Sequence, residues 1–214
     1  MSLKKKIVIL ISPFLFMIGL RFVSTLSCSF MPISQTWIPF FIIYYLFCCT
    51  LFPMMVERRY SFSIFSKFGF RRIGRRSLKW VFFGLCFSAF SLIHIFLKFD
   101  VRLQLIDIIL VIGFILINPF FEEFYWRGFL FGKFQNRGYL AAIYSSIVFG
   151  IHHLVVRGQI CKSFSPLAIF LTTVVSGLVW CLLYKKTDSL IPGYLSHIIV
   201  NIPGALILLN LITF

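Results

Sequence analysis

Acidic residues are scarce in this chain. Only six Asp and Glu stand against 21 Lys and Arg, and charged residues make up 13% of the 214 positions. A typical soluble domain is roughly a quarter charged, so the composition excludes that class. Hydrophobic residues make up 60%, the mean hydropathy is +0.97, and the apolar residues fall in blocks close to the ~20 residues that cross a bilayer. The sequence predicts an all-α, polytopic transmembrane helical bundle.

Several motifs are missing as well. The six cysteines form no CxxC pair, which argues against a thiolate zinc site or a disulfide framework. No H-E-x-x-H sequence occurs. The first apolar block lacks an A-x-A cleavage site and is followed by Arg21, so it is predicted to be a retained helix rather than a signal peptide.

The apolar blocks predict about seven or eight membrane spans within a single transmembrane domain, residues 1–214. The last block contains "IPG" twice, so it is either one helix or two shorter ones. The predicted spans are 7–23, 36–55, 80–98, 105–126, 139–156, 166–184 and 189–212.

Basic residues predict the orientation. With the N-terminus inside, 16 of the 21 Lys and Arg lie in inner segments, which fits the positive-inside rule. The protein is therefore expected to be a multi-pass protein of the plasma membrane with a cytoplasmic N-terminus. The basic segment 57–79 is predicted to be a cytoplasmic loop or an interfacial helix. The net charge of +15 is explained by contact with the lipid bilayer, and no nucleic-acid partner is expected.

Two adjacent glutamates interrupt the fourth predicted span in the stretch "NPFFEEFYWRGF". Glu123 and Arg127 are four residues apart, so they share a helical face and are expected to form an ion pair. Glu122 is rotated by about 100° and is predicted to lack a local partner. An acidic side chain inside a membrane costs roughly 2.5–3.5 kcal/mol, which makes such residues functional candidates.

Histidines and an amide occur in later apolar blocks. His152 and His153 lie in the fifth predicted span, and His197 and Asn201 share one helical face in the seventh. A carboxylate, imidazoles and an amide can activate a water molecule and stabilise an oxyanion. These groups can meet only if the helix carrying Glu122 continues past Phe124, tilts or dips back, or if the fifth helix begins below the membrane.

Three motifs resemble those of the CPBP family of intramembrane endopeptidases, the superfamily of CAAX proteases and bacteriocin-processing enzymes. The family patterns are E-E-x-x-x-R, F-x-x-x-H and H-x-x-x-N. They occur here in that order, within a region of about 105–205, and the matching residues are Glu122, Glu123 and Arg127, then Phe149 and His153, then His197 and Asn201.

The resemblance implies a role for each of these residues. Glu122 would be the general base that activates water, and His153 would position or protonate in the same step. His197 and Asn201 would stabilise the oxyanion. Glu123, Arg127 and Phe149 would support the site, whereas His152 is expected to point elsewhere. No cofactor is expected, although zinc held by Glu122, His153 and His197 stays an alternative.

The expected function is therefore glutamate-dependent hydrolysis of a peptide bond in a substrate at the membrane. That substrate would be a prenylated CAAX-like protein, a leader peptide or a membrane-anchored protein. Two alternatives remain at this point: a non-catalytic membrane partner of the same fold and a proton-coupled transporter. The transporter would be expected to show repeated halves with broken helices, and none stands out in the sequence.

Overall fold

The computed structural model describes residues 1–30, 37–58, 63–67, 69–96, 105–160 and 165–208. Within these ranges the regular elements are all helical, which confirms the predicted all-α class. The α-helices are α1 (Leu3–Phe30), α2 (Trp37–Ile43), α3 (Phe52–Glu57), α4 (Ser63–Lys67), α5 (Leu78–Phe96), α6 (Leu105–Glu122), α7 (Gly132–Phe134), α8 (Tyr139–Ile160), α9 (Pro166–Thr187) and α10 (Ile191–Leu208).

Two π-helical segments, Tyr44–Leu51 and Glu123–Phe131, are inserted between α-helices. The first joins α2 to α3 and the second joins α6 to α7, so each forms part of one continuous helical rod. Such wide turns are rare and often lie at functional sites. The two π-helical segments contact each other inside the bundle.

Among the described residues, four helices are long and apolar enough to cross a membrane: Leu3–Phe30, Ile38–Glu57, Ile108–Phe134 and Pro166–Thr187. They confirm four of the predicted spans, and the chain is an integral membrane protein. The other three predicted spans fall on α5, α8 and α10 but stay predictions, since parts of each lie outside the described residues or side chains.

The final apolar block is one helix over its described length. α10 runs through Pro203, and Pro192 lies in its first turn, where the missing N–H has no cost. The rod containing Glu122 also continues beyond Phe124 to Phe134, which is one of the alternatives that the sequence left open for bringing the motifs together. The predicted end of this span at residue 126 was therefore too early.

Between the end of α3 at Glu57 and the start of α5 at Leu78, the described part of the basic segment 57–79 is helical only at Ser63–Lys67 and at a 3₁₀ turn, Arg75–Ser77. Glu57, whose side chain is 5% exposed, joins three predicted inner segments through ion pairs with Lys5 (3.2 Å), Lys133 (2.7 Å) and Lys67. Arg71 joins the fourth through Asp188 (2.6 Å). These segments therefore lie on one side of the bundle; that this side is cytoplasmic stays a prediction.

Candidate active site

The two adjacent glutamates lie where α6 gives way to the second π-helical segment. Glu122 is the last residue of α6 and Glu123 the first of the π-helical segment. Both are buried, with 3% and 0% of their surface exposed. Burial of two carboxylates without compensating donors is strongly unfavourable, so the neighbouring groups decide whether they are tolerated.

His197 lies between these two glutamates. Its Nδ1 is 2.9 Å from Glu123 Oε1, and its Nε2 is 3.4 Å from Glu122 Oε2. The imidazole is also stacked on the Trp180 indole, with ring centroids 3.9 Å apart. α10 therefore brings the third motif directly onto the first, and both ring nitrogens face a carboxylate.

Glu123 also forms the predicted ion pair with Arg127, at 3.2 Å between Oε1 and Nη1. The Arg127 guanidinium is fully buried and lies 4.2 Å from the Phe149 ring centroid and 4.8 Å from that of Trp180. Aromatic faces attract such cations, most strongly when water is excluded. Arg127 is thus compensated by one carboxylate and two ring faces.

Two glycines make room for this ion pair. A Cβ at Gly193 would lie 2.9 Å from Glu123 Oε2, and a Cβ at Gly177 would lie 3.1 Å from Arg127 Nη2. Both approaches are shorter than normal van der Waals contact, so larger residues would displace the charged side chains. Glycine at these two positions therefore allows α9 and α10 to pack directly against the ion pair.

Glu122 has a local partner, which contradicts the prediction that it is left without one. Asn118, one turn earlier on α6, donates from Nδ2 to Glu122 Oε2 at 3.0 Å. The Tyr45 hydroxyl donates to Asn118 Oδ1 at 2.9 Å, which fixes the orientation of the amide. The prediction failed because it considered only charged partners of Glu122 and overlooked the neutral amide at i−4.

A second tyrosine faces the other oxygen of the same carboxylate. The Tyr44 hydroxyl lies 3.4 Å from Glu122 Oε1 and accepts a hydrogen bond from Trp126 Nε1 at 2.9 Å. Tyr44 and Tyr45 both come from the first π-helical segment. Glu122 is therefore held by groups from three separate parts of the chain.

His153 packs against Phe149, with ring centroids 4.3 Å apart, and its Nδ1 lies 3.0 Å from the Phe149 carbonyl oxygen. In the tautomer that donates from Nδ1, Nε2 is the basic nitrogen. The Phe149 ring also lies 6.3 Å from that of His197, centroid to centroid. Phe149 thus contacts the histidines of both later motifs.

His152 points elsewhere from His153, as expected, but it is more buried. It stacks on Tyr44, with ring centroids 4.8 Å apart, and contacts Trp126 at 5.6 Å. Because Tyr44 contacts Glu122, His152 supports the site from behind the tyrosine.

Asn201 lies one turn after His197 on α10 and is 5% exposed. Within the described part of the chain, no acceptor lies within hydrogen-bond distance of its buried Nδ2. A buried donor without an acceptor is costly and uncommon in folded proteins. Asn201 thus has a hydrogen-bonding capacity that the described residues do not use.

Sequence reasoning missed Asn118, Tyr44, Tyr45 and Trp180. The i−4 spacing could have revealed Asn118, because it lies on the same helical face as Glu122. The other three come from different helices, and nothing in one sequence shows that they approach the glutamates. Their aromatic character alone is typical of any membrane helix.

No group of three or more His, Cys, Asp and Glu among the described residues is arranged to hold a metal ion. The alternative zinc set of Glu122, His153 and His197 is thus not gathered as one cluster within that part of the chain.

A comparison with protein-family models matches residues 103–203 to the family described as "Type II CAAX prenyl endopeptidase Rce1-like". The matched region is slightly less than half of the chain, and it contains all three motifs. It confirms the resemblance to CAAX proteases. Searches of curated proteins and of solved structures gave no match.

Proposed function

We propose, on the premise that residues 103–203 are a region of the Rce1-like CAAX prenyl endopeptidase family, that this membrane protein is an intramembrane endopeptidase whose water is activated by Glu122. The family implies a peptidase. The observation that carries the assignment of the base is the position of Glu122, which is buried, held at Oε2 by Asn118, and in contact with His197.

In the proposed reaction, Glu122 accepts a proton from water as the water oxygen attacks the carbonyl carbon of the scissile bond. The carbonyl oxygen becomes the oxyanion of a tetrahedral intermediate. When the C–N bond breaks, the leaving nitrogen takes the proton that Glu122 accepted from water, either directly or through His153, which accepts it at Nε2 and passes it on. The products are a new carboxyl group and a new amine, and Glu122 returns to its ionised form.

Asn201 and His197 are the proposed oxyanion donors. Asn201 Nδ2 supports this role because it is buried and has no acceptor among the described residues. His197 Nε2 is 3.4 Å from Glu122 Oε2, which is longer than a normal charged N–H···O bond, so its hydrogen can be shared with the oxyanion. Such donors stabilise the transition state most in a site without bulk water.

Glu123 and Arg127 are proposed to hold the site rather than to react. Glu123 binds Nδ1 of His197 and thereby orients Nε2 toward Glu122. The proposed scheme uses no metal.

The substrate class is tested with matched membrane peptides. The purified protein in proteoliposomes is incubated with a farnesylated CAAX peptide, with the same peptide lacking the lipid, and with a leader-type peptide, and the products are identified by mass spectrometry. Cleavage of the farnesylated peptide alone supports the prenyl-protein class. Cleavage of none of the three, together with identical membrane peptides in cells producing wild type or Glu122→Gln, would support the non-catalytic partner instead.

A further inference from the structure

A cluster of exposed cations lies apart from the glutamates, where α5 begins and α9 ends. Lys79 is the second residue of α5, and Lys185 and Lys186 stand in the last turn of α9. Their side chains are exposed, as are those of three arginines in the segment before α5. We call these six residues the basic edge: Arg72, Arg75, Arg76, Lys79, Lys185 and Lys186.

Backbone contacts fix the two halves of the basic edge together. The Leu190 N–H donates to the Gly69 carbonyl at 2.7 Å, and the Ser189 hydroxyl donates to the Arg71 carbonyl at 2.8 Å. α5 and α9 also pack closely, because a Cβ at Gly84 would lie 2.9 Å from the Leu183 side chain. The fold therefore holds the cations of the two segments close to each other.

The acids on this side of the bundle are already engaged by other cations. Asp188 pairs with Arg71, and Glu57 pairs with three lysines outside the basic edge. In the described part of the chain, no ion pair is recorded for Lys79, Lys185 or Lys186. The basic edge thus presents uncompensated positive charge.

Aromatic rings stand among these lysines. Lys79 Nζ and Lys186 Nζ lie 5.8 and 5.7 Å from the centroid of the same ring, that of Trp80, and Lys185 Nζ lies 5.0 Å from that of Tyr139. Trp and Tyr concentrate at the headgroup level of membranes because their rings are amphipathic. Lys79 and Lys186 thus lie beside the same ring, and both have long, flexible side chains that can turn toward a phosphate bound there.

Exposed apolar side chains continue from these lysines into the helices. Phe82 and Phe83 follow Lys79 by three and four residues, and Leu182 precedes Lys186 by four, so each lies on the face of its lysine. They are 70%, 43% and 36% exposed. A ligand bound here meets cations at one end and apolar surface one turn further in.

We propose that the α5–α9 edge is a binding site for an anionic phospholipid. Its phosphate lies between Lys79 and Lys186 beside Trp80, and its acyl chain lies along Phe82, Phe83 and Leu182. The combination of charge and adjoining apolar surface favours a lipid over a free phosphate or a nucleic acid, neither of which would cover the three apolar side chains. The site is independent of the proposed peptidase function.

The test measures lipid binding by the purified full chain in detergent micelles, by native mass spectrometry and by thermal unfolding. The probes are dioleoylphosphatidylglycerol, dioleoylphosphatidylcholine and inorganic phosphate. Phosphatidylglycerol is expected to bind and to raise the unfolding temperature more than phosphatidylcholine does. Lys79→Gln/Lys186→Gln is expected to lower the affinity for phosphatidylglycerol on the order of tenfold to thirtyfold.

Two variants make the result specific. Lys4→Gln/Lys6→Gln removes the same amount of charge near Lys5, on the same side of the bundle, and is expected to bind the lipid like wild type. Lys79→Arg/Lys186→Arg keeps both positive charges and is expected to retain the wild-type affinity. Equal loss in both glutamine variants would overturn the proposal in favour of diffuse surface charge. Equal binding of phosphatidylcholine would overturn it, as would inorganic phosphate that stabilises the protein as strongly as the lipid.

Discussion

His197 lies between Glu122 and Glu123, with one ring nitrogen 3.4 Å from the first carboxylate and the other 2.9 Å from the second. Arg127 adds a permanent positive charge beside Glu123, 3.2 Å from the same Oε1 that His197 Nδ1 contacts. Each of the two adjacent glutamates thus has a polar partner from another helix, and Glu123 has the Arg127 guanidinium as well. These contacts explain how two adjacent carboxyl groups are tolerated in an apolar bundle.

The two glutamates are predicted to differ in their effect on stability. Glu123→Gln leaves buried Arg127 without its carboxylate and is expected to destabilise the protein by about 3–5 kcal/mol. Glu122→Gln keeps the contacts with Asn118 and His197 and is expected to cost much less. Unfolding of both variants in the same detergent checks this, and equal losses would show that Glu123 has no special supporting role.

Asn118 is predicted to position Glu122 for proton transfer. Asn118→Leu removes a hydrogen bond to a charged group and is expected to lower kcat by roughly tenfold to a hundredfold with little change in KM. Tyr45→Phe should also lower kcat, but by less, because it removes only the hydrogen bond that fixes the orientation of the Asn118 amide. Steady-state kinetics with a cleaved membrane peptide measure both effects.

Tyr144→Phe is the matched control for Tyr45→Phe. The Tyr144 hydroxyl donates to the Leu10 backbone carbonyl, outside the glutamate cluster. The Tyr144→Phe variant should therefore leave kcat unchanged. A similar loss of kcat in both tyrosine variants would contradict this. It would mean that the packing of the tyrosine rings, rather than the hydrogen bonds from Tyr45 through Asn118 to Glu122, affects the rate.

Gly193 is predicted to be required because Glu123 occupies the space of its missing side chain. Gly193→Ala places a Cβ 2.9 Å from Glu123 Oε2 and is expected to destabilise the protein by about 1–3 kcal/mol and to lower activity. Gly113→Ala is the control, since nothing lies within 4 Å of a Cβ at that position of α6. An unaffected Gly193→Ala protein would argue that α10 lies further from Glu123.

Activity is predicted to survive metal removal. The proposed scheme assigns activation of water to Glu122 and stabilisation of the oxyanion to His197 and Asn201. Treatment with 1,10-phenanthroline should leave the cleavage rate of a membrane peptide unchanged. Loss of activity that is restored by added zinc would support the alternative in which Glu122, His153 and His197 bind a metal.

Much of the helical fold could be predicted from hydropathy, because apolar blocks of span length have few other structures open to them in a membrane. The predicted end of the fourth span is an exception. Its helix continues from Glu122 to Phe134 through a π-helical segment that contains the buried Arg127, and a hydropathy limit stops at such charges.

The Glu123–Arg127 pair could be predicted because both residues belong to one helix with fixed spacing. The position of His197 between the glutamates could not, since it depends on how α10 packs against α6 and on Gly193 being small. The approach of Tyr44 to Glu122 depends on the first π-helical segment, Tyr44–Leu51, which no residue pattern predicts. Contacts between helices are thus the part that required the structure.

The central claim is that Glu122 takes the proton from the attacking water, and the cleavage rate of Glu122→Gln tests it most directly. With a cleaved membrane peptide at saturating concentration, kcat should fall by about 10²–10⁴-fold while the unfolding temperature stays close to that of wild type. A folded Glu122→Gln protein that cleaves the same peptide at the wild-type rate would contradict the account.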